Sequence, residues 1–403
     1  MPTPSPTAAP TDSLAPTRPY IGGQAVLEGV MMRAPHSFAI VVRRKDGSLH
    51  VRERAVSDPR SGFARLPLVR GVASLVESLR LGGEALRFSA EQAEKDMVDS
   101  EAPAPSKAEE LKTKALSALS ALGYSLFLMA TLEPEPETAT APKASPEAPL
   151  ATKKDEAEAP AAKKGGPAVM LAVMVLFMVA LPQLVAALMN RVFHLDLEVQ
   201  SPKFQAMTGI FKLSIVIGYM LLIRRIPDIR RVFQYHGAEH KTISTYEAGE
   251  ELTVENARKK TTLHPRCGTT FLVMVAIVSV LVFTAVGSLV PRIHTGSQVL
   301  DNIVFFLVKL PFVPVLAAIT FEIQRVFARY FTKGPLRLVL VPGFLVQKVT
   351  TIEPDDSQLE IALASLRATL FRETGKAAED TDDVRFGSYD EFYAQDALRN
   401  PAS

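Results

Sequence analysis

The stretch Tyr235-His236-Gly237-Ala238-Glu239-His240-Lys241 sits in a polar, strongly basic segment. An apolar run long enough to cross a bilayer lies on either side of it. That alternation predicts the fold class: a mainly α, polytopic membrane helical bundle that presents the loop 224–268 at one face. His236 and His240 are four apart, so on a helix both imidazoles project from one face about one turn apart. Two ring nitrogens at that spacing can meet one metal ion, with Glu239 beside them as general base toward a water.

The order His-x-x-Glu-His is the inverzincin arrangement among zinc hydrolase motifs. The competing reading is that two helical histidines sit near lipid headgroups or cap neighbouring carbonyls. Ile226-Pro227-Asp228 gives a helix start with proline in the first turn, and Gly249 a stop. On that helix His236, His240, Ile243 and Glu247 share a face. Glu247 is therefore a candidate ligand, or a group that orients one.

A third donor is needed, and Glu322, His264 and Cys267 are the candidates. His264 and Cys267 end the same loop directly before an apolar run. Glu322 stands at the same end of the last apolar run, and inverzincins take a downstream glutamate as third ligand. An ion pair with Arg325 is its plain alternative. Cys267 is the chain's single cysteine, which excludes an internal disulfide. A lone cysteine is usually a small buried residue. A thiol nucleophile paired with His264 or His240 is the lesser alternative.

Working outward, the 403 residues are 47% hydrophobic and 22% charged with net charge +2, so greasy blocks alternate with polar linkers. Nothing in this balance points to nucleic acid. Residues 1–19 are Pro/Thr/Ala-rich without an apolar core and read as a disordered tail, not a secretory signal. In the region 20–110, segments 38–44 and 49–56 flank Lys45-Asp46-Gly47-Ser48, a hairpin signature. Residues 67–94 are apolar at helical spacing and carry Arg70, Arg80 and Arg87. They fit a helix lying on an anionic membrane surface or packed on the protein's own core.

Within 111–132, residues 115–132 are moderately apolar and read as a re-entrant or interfacial element, with a fifth span as the alternative. Residues 133–166 form a flexible Pro/Ala/Glu/Lys linker. The bundle, 167–323, holds four expected spans at 168–189, 205–223, 269–289 and 302–321, each near the required length of about 20 residues. Arg224, Arg225, Arg230, Arg231, Arg258, Lys259, Lys260 and Arg266 crowd the histidine loop, and Arg325, Arg329, Lys333 and Arg337 follow the last span. The positive-inside rule then puts that loop and both chain ends in the cytosol.

The segment 324–374 reads as soluble α/β: a strand at 336–341 broken by Pro342-Gly343, then a helix at 358–371 started by Pro354-Asp355-Asp356-Ser357. The acidic tail 375–403 is expected to be loosely ordered. His194, Asp196 and His294 are too scattered for a site. Lys212 and Lys309 stand roughly two turns inside their spans and are expected to snorkel outward. Their alternatives are an anionic lipid, or each other's surroundings within the bundle.

Four ordered motifs resemble the YqhQ-like bacterial membrane proteins. They are Gly22-Gly23-Gln24-Ala25-Val26-Leu27-Glu28-Gly29-Val30-Met31-Met32-Arg33, then the histidine stretch, then His264-Pro265-Arg266-Cys267-Gly268-Thr269, and last Pro342-Gly343 with Gln347, Thr350-Thr351 and Glu353-Pro354. The resemblance covers about 21–370 apart from the linker, and implies a metal-dependent enzyme of unknown substrate. The expectation is thus a multi-pass protein of the bacterial inner membrane that hydrolyses an amide or ester at the cytosolic face. Its metal, most simply zinc, would be held by His236 and His240, its partners being membrane lipids and an unidentified substrate. The rival expectations are a non-catalytic scaffold or transport accessory and, third, a transporter lined by Lys212 and Lys309.

Overall fold

The polar segment between two apolar helices holds a buried helix, and a small sheet and a second buried helix pack against it. A computed structural model describes residues 18–56, 69–98, 175–330, 338, 340–376 and 382–399. Strands β1 (Gly22–Val26), β2 (Gly29–Arg33), β3 (Ser37–Arg43) and β4 (Leu49–Ala55) form an antiparallel meander, and β5 (Val384–Phe386) adds to the edge beside β4. The expected hairpin is the β3–β4 pair, with Val41 opposite Val51 and Gly47 at φ 84° in its turn. The hairpin β1–β2 was not foreseen. Its turn residue Glu28 takes φ 52°, and Arg43 N–H closes on the Glu28 carbonyl at 2.8 Å.

Both faces of the sheet are covered. On one side α1 (Val69–Val98) packs Leu81, Ala85 and Phe88 against Val26, Met31, Phe38 and Ile40. This part of α1 thus follows the core-packing alternative. On the other side lie α4 (Pro227–Ala248) and α10 (Asp356–Phe371). Asp355 caps α10 in a reciprocal capping box with Gln358, as its sequence predicts. Yet α10 is enclosed on all sides, by the sheet, α4, the short α5 (Val254–Arg258) and α11 (Tyr389–Arg399).

Among the described residues, three helices are long and apolar enough to cross a membrane, where four were expected. They are α3 (Pro202–Ile223), α6 (Thr269–Leu289) and the composite Gln298–Phe327, in which α7 (Gln298–Lys309) passes through a tight turn at Leu310–Phe312 into α8 (Val313–Tyr330). Pro311 accounts for that turn, because it has no N–H for the helical ladder. Of the fourth expected span the described part is α2, Leu176–Val192, which is apolar but shorter. Its opening turn is a wide π turn directly ahead of Pro182, again a proline without a donor. The doubtful element 115–132 lies outside the described residues.

Two further expectations are corrected. Of the expected strand 336–341, residues 336, 337 and 339 lie outside the described residues; Val341 begins a helix, α9 (Val341–Thr350), with Pro342 in its first turn, so Pro342-Gly343 starts a helix where a strand end was expected. The acidic tail supplies β5 and α11, held by Arg52 to Asp383 at 2.7 Å and by the buried pair Arg367–Asp396 at 3.1 Å.

Candidate metal centre

Helix α4 is buried along most of its length although its sequence is half polar: His236, Glu239, His240, Lys241, Thr242 and Thr245 are all inaccessible. Burying such groups is costly unless each finds a partner, so a helix of this kind marks a functional element. The partners of the two histidines are backbone carbonyls distant in the sequence. Nδ1 of His236 meets the Thr350 carbonyl at 2.9 Å, and Nδ1 of His240 meets the Thr262 carbonyl at 2.5 Å. A carbonyl only accepts, so both rings carry their proton on Nδ1 and present the Nε2 lone pair. Carbonyl-anchored imidazoles are the usual form of metal-binding histidine.

Nε2 of His236 lies 3.3 Å from Sγ of Cys267. Cys267 immediately precedes α6, where Thr269 Oγ1 and N–H approach the sulfur at 3.2 and 3.4 Å. Donor atoms of His236, His240 and Cys267 all lie within 4.8 Å of one another. Nε2 of His240 is buried and has no hydrogen-bond partner. An orphaned imidazole lone pair beside a cysteine sulfur and a second imidazole fits a borderline-soft divalent ion such as zinc. Burial holds the His236 imidazole down to about 4, and burial with the neighbouring His236 and His264 lowers His240 well below its ordinary range. Both rings are therefore neutral at pH 7, the form that binds metal.

The other candidates are not members of this donor set. The His264 ring centre is 5.7 Å from that of His240, but its Nε2 points to Glu247 Oε2 at 3.4 Å. Glu247 thus engages His264 and Arg266. Glu322 lies on α8 and is not a member of the His236–His240–Cys267 group. Glu239 is buried with its Cγ, Cδ and Oε1 against Gly23 of β1, where any Cβ would approach them to 2.9 Å or less.

Sequence reasoning missed the framing contacts. Gln347 brackets residue 264, accepting from the His264 N–H at 2.9 Å and donating to its carbonyl at 2.8 Å. Gly237 lets the Ile352 carbonyl reach α4, and the Ile352 N–H bonds Phe233 O at 2.9 Å. Lys241 pairs with Glu353 and donates to Arg258 O at 3.0 Å. Glu28 of the first hairpin ties to Arg231 and to Tyr235 OH. No single-residue signal announces these contacts, because their partners lie far apart in the sequence and half are carried by backbone carbonyls.

A sequence-family model described as protein of unknown function (DUF1385) matches residues 66–372. The chain belongs to this family. DUF1385 thus takes in α4, Cys267 and the 342–354 motif, while β1 and β2 lie ahead of the matched residues. Among curated proteins, uncharacterized protein YqhQ of Bacillus subtilis (strain 168) is 29% identical over 357 residues, covering 87% of this chain and 92% of the relative. No solved structure is similar to this DUF1385 chain.

Proposed function

We propose that this DUF1385 protein is a metal-dependent hydrolase, zinc being the ion, acting at the cytosolic face of the bacterial inner membrane. The observation that carries the reading is the orphaned, buried Nε2 of His240 beside Cys267 and the carbonyl-anchored His236. His236 and His240 offer imidazole lone pairs and Cys267 a thiolate, three protein donors that leave a fourth position for chemistry. Zinc held there supplies Lewis acidity toward an ester or amide carbonyl. Glu239 is the general base, and Gly23 of β1 fixes where its carboxylate sits. Thr350 and Thr262 hold the imidazoles in one tautomer, and His264 with Glu247 borders the centre.

The burial of all three donors favours one second reading: a metal staple that pins the loop 224–268 to the bundle in a non-catalytic scaffold or transport accessory. Glu239→Gln separates the two. In the hydrolase the variant keeps its metal and loses about 100-fold or more of its turnover of a panel of acyl esters and amides. Equal turnover of wild type and variant across that panel would leave only the staple.

A further inference from the structure

Two lysines lie inside the helical bundle, away from the histidines. Lys212 of α3 and Lys309 of α7 are 4% and 1% exposed, so neither snorkels to the surface as expected from sequence. Lys212 stands midway along its apolar helix, and its Nζ donates to Ser279 Oγ, midway along α6, at 2.7 Å. Lys309 Nζ donates to Gln183 Oε1 of α2 at 2.9 Å. The two ammonium groups converge on one ring: they lie 5.7 and 4.9 Å from the centre of Phe283. Lys309 also faces Phe305 at 4.7 Å.

Among the described residues, what surrounds the pair is neutral. Helices α2, α3 and α6 contain no aspartate or glutamate among the described residues. Asp301 of α7 lies about two turns from Lys309 and bonds Thr295 N–H and Oγ1, each at 2.8 Å. An ammonium group has three donors, and each lysine spends one of them on an uncharged oxygen. Aromatic faces attract a cation without neutralising it. Two buried lysines side by side in a membrane bundle, with spare donors and no carboxylate beside them among the described residues, are suited to a counter-charge from outside the chain. A polar track leads to them: Gln183 Nε2 donates to the Asn302 carbonyl at 2.7 Å, and Asn302 is half-exposed near the start of α7.

We propose that Lys212 and Lys309 form an intramembrane site for one monovalent anionic group, reached from the end of the bundle that carries Asn302. Two sources offer that chemistry: a free inorganic anion, or the phosphodiester of a phospholipid headgroup drawn between the helices. The site is independent of the metal centre, since Ser279 and Thr269 stand about 15 Å apart along α6.

The test uses the full chain purified in detergent, with bromide as the free-anion probe and phosphatidylglycerol, set against phosphatidylcholine, as the lipid probe. Thermal unfolding is followed as gluconate is replaced by bromide at constant ionic strength. Lipid adducts are counted by native mass spectrometry. A saturable rise in unfolding temperature with bromide assigns the free anion, and selective retention of phosphatidylglycerol assigns the headgroup. In either case Lys309→Met, which keeps the side-chain length and removes the charge, weakens the effect at least about tenfold. Wild-type protein indifferent to both probes overturns the proposal, and that result needs no variant to fold. So does a response that Lys212→Met and Lys309→Met leave unchanged.

Discussion

Sγ of Cys267 stands 3.3 Å from Nε2 of His236, although 31 residues and an entire folded loop separate them in the chain. The contact exists because α4 ends in a left-handed Gly249 and the chain returns through α5 to the start of α6. On the proposed reading, removing the sulfur takes away a direct metal donor. Cys267→Ala is expected to lower zinc affinity by more than the ~10- to 100-fold typical of losing a mere supporting hydrogen bond. Competition against a chromogenic chelator measures it. The same competition should show the wild-type thiol shielded from alkylation while metal is present.

Acid should destabilise the metal-free protein through the two histidines. Both have folded-state values below the unfolded value near 6.5, His236 at about 4. Below pH 6.5 the unfolded chain binds protons that the folded chain refuses, so stability falls as pH falls toward 4. Between pH 6.5 and pH 5 the loss through His236 is about 1–2 kcal/mol, and His240 adds to it in the same direction. Unfolding of chelator-treated protein across this range should show that slope, and His236→Gln should remove its share of it.

Gly237 makes a prediction opposite to helix propensity. In a helix interior Gly→Ala ordinarily gains about 1 kcal/mol. Here the new Cβ would strike the Ile352 carbonyl and come within 3.3 Å of Pro354 Cδ. Because the obstacle is backbone, it cannot swing aside. Gly237→Ala is therefore expected to destabilise by about 1–3 kcal/mol, read as a lowered unfolding temperature.

Much of this architecture was legible locally. Pro227 and Gly249 bound α4, Asp46-Gly47 turns β3 into β4, and Asp355 with Gln358 caps α10, each through chemistry carried by adjacent residues. What was illegible depended on partners distant in sequence. The Val26-Leu27-Glu28-Gly29 turn has no conventional hairpin pair, and Glu28 is held at positive φ among contacts to β3 and α4. Pro342-Gly343 reads as a breaker, yet Pro342 lies in the first turn of α9 and Gly343 makes room for Thr270. Charge alone gave the wrong direction for Lys212 and Lys309, because Ser279 and Gln183 supply acceptors inside the bundle. At the candidate metal site the histidine spacing was readable. That Cys267 joins the pair, while Glu322 lies elsewhere and His264 turns to Glu247, follows only from the path of the loop.

The most direct measurement is the metal content of protein purified without chelator, wild type beside the double variant His236→Ala, His240→Ala. About one zinc or other transition-metal ion per wild-type chain, lost in a double variant that still inserts and folds, is the expected result. A folded wild-type protein that carries no metal, and takes up none when zinc is added, would contradict the central claim.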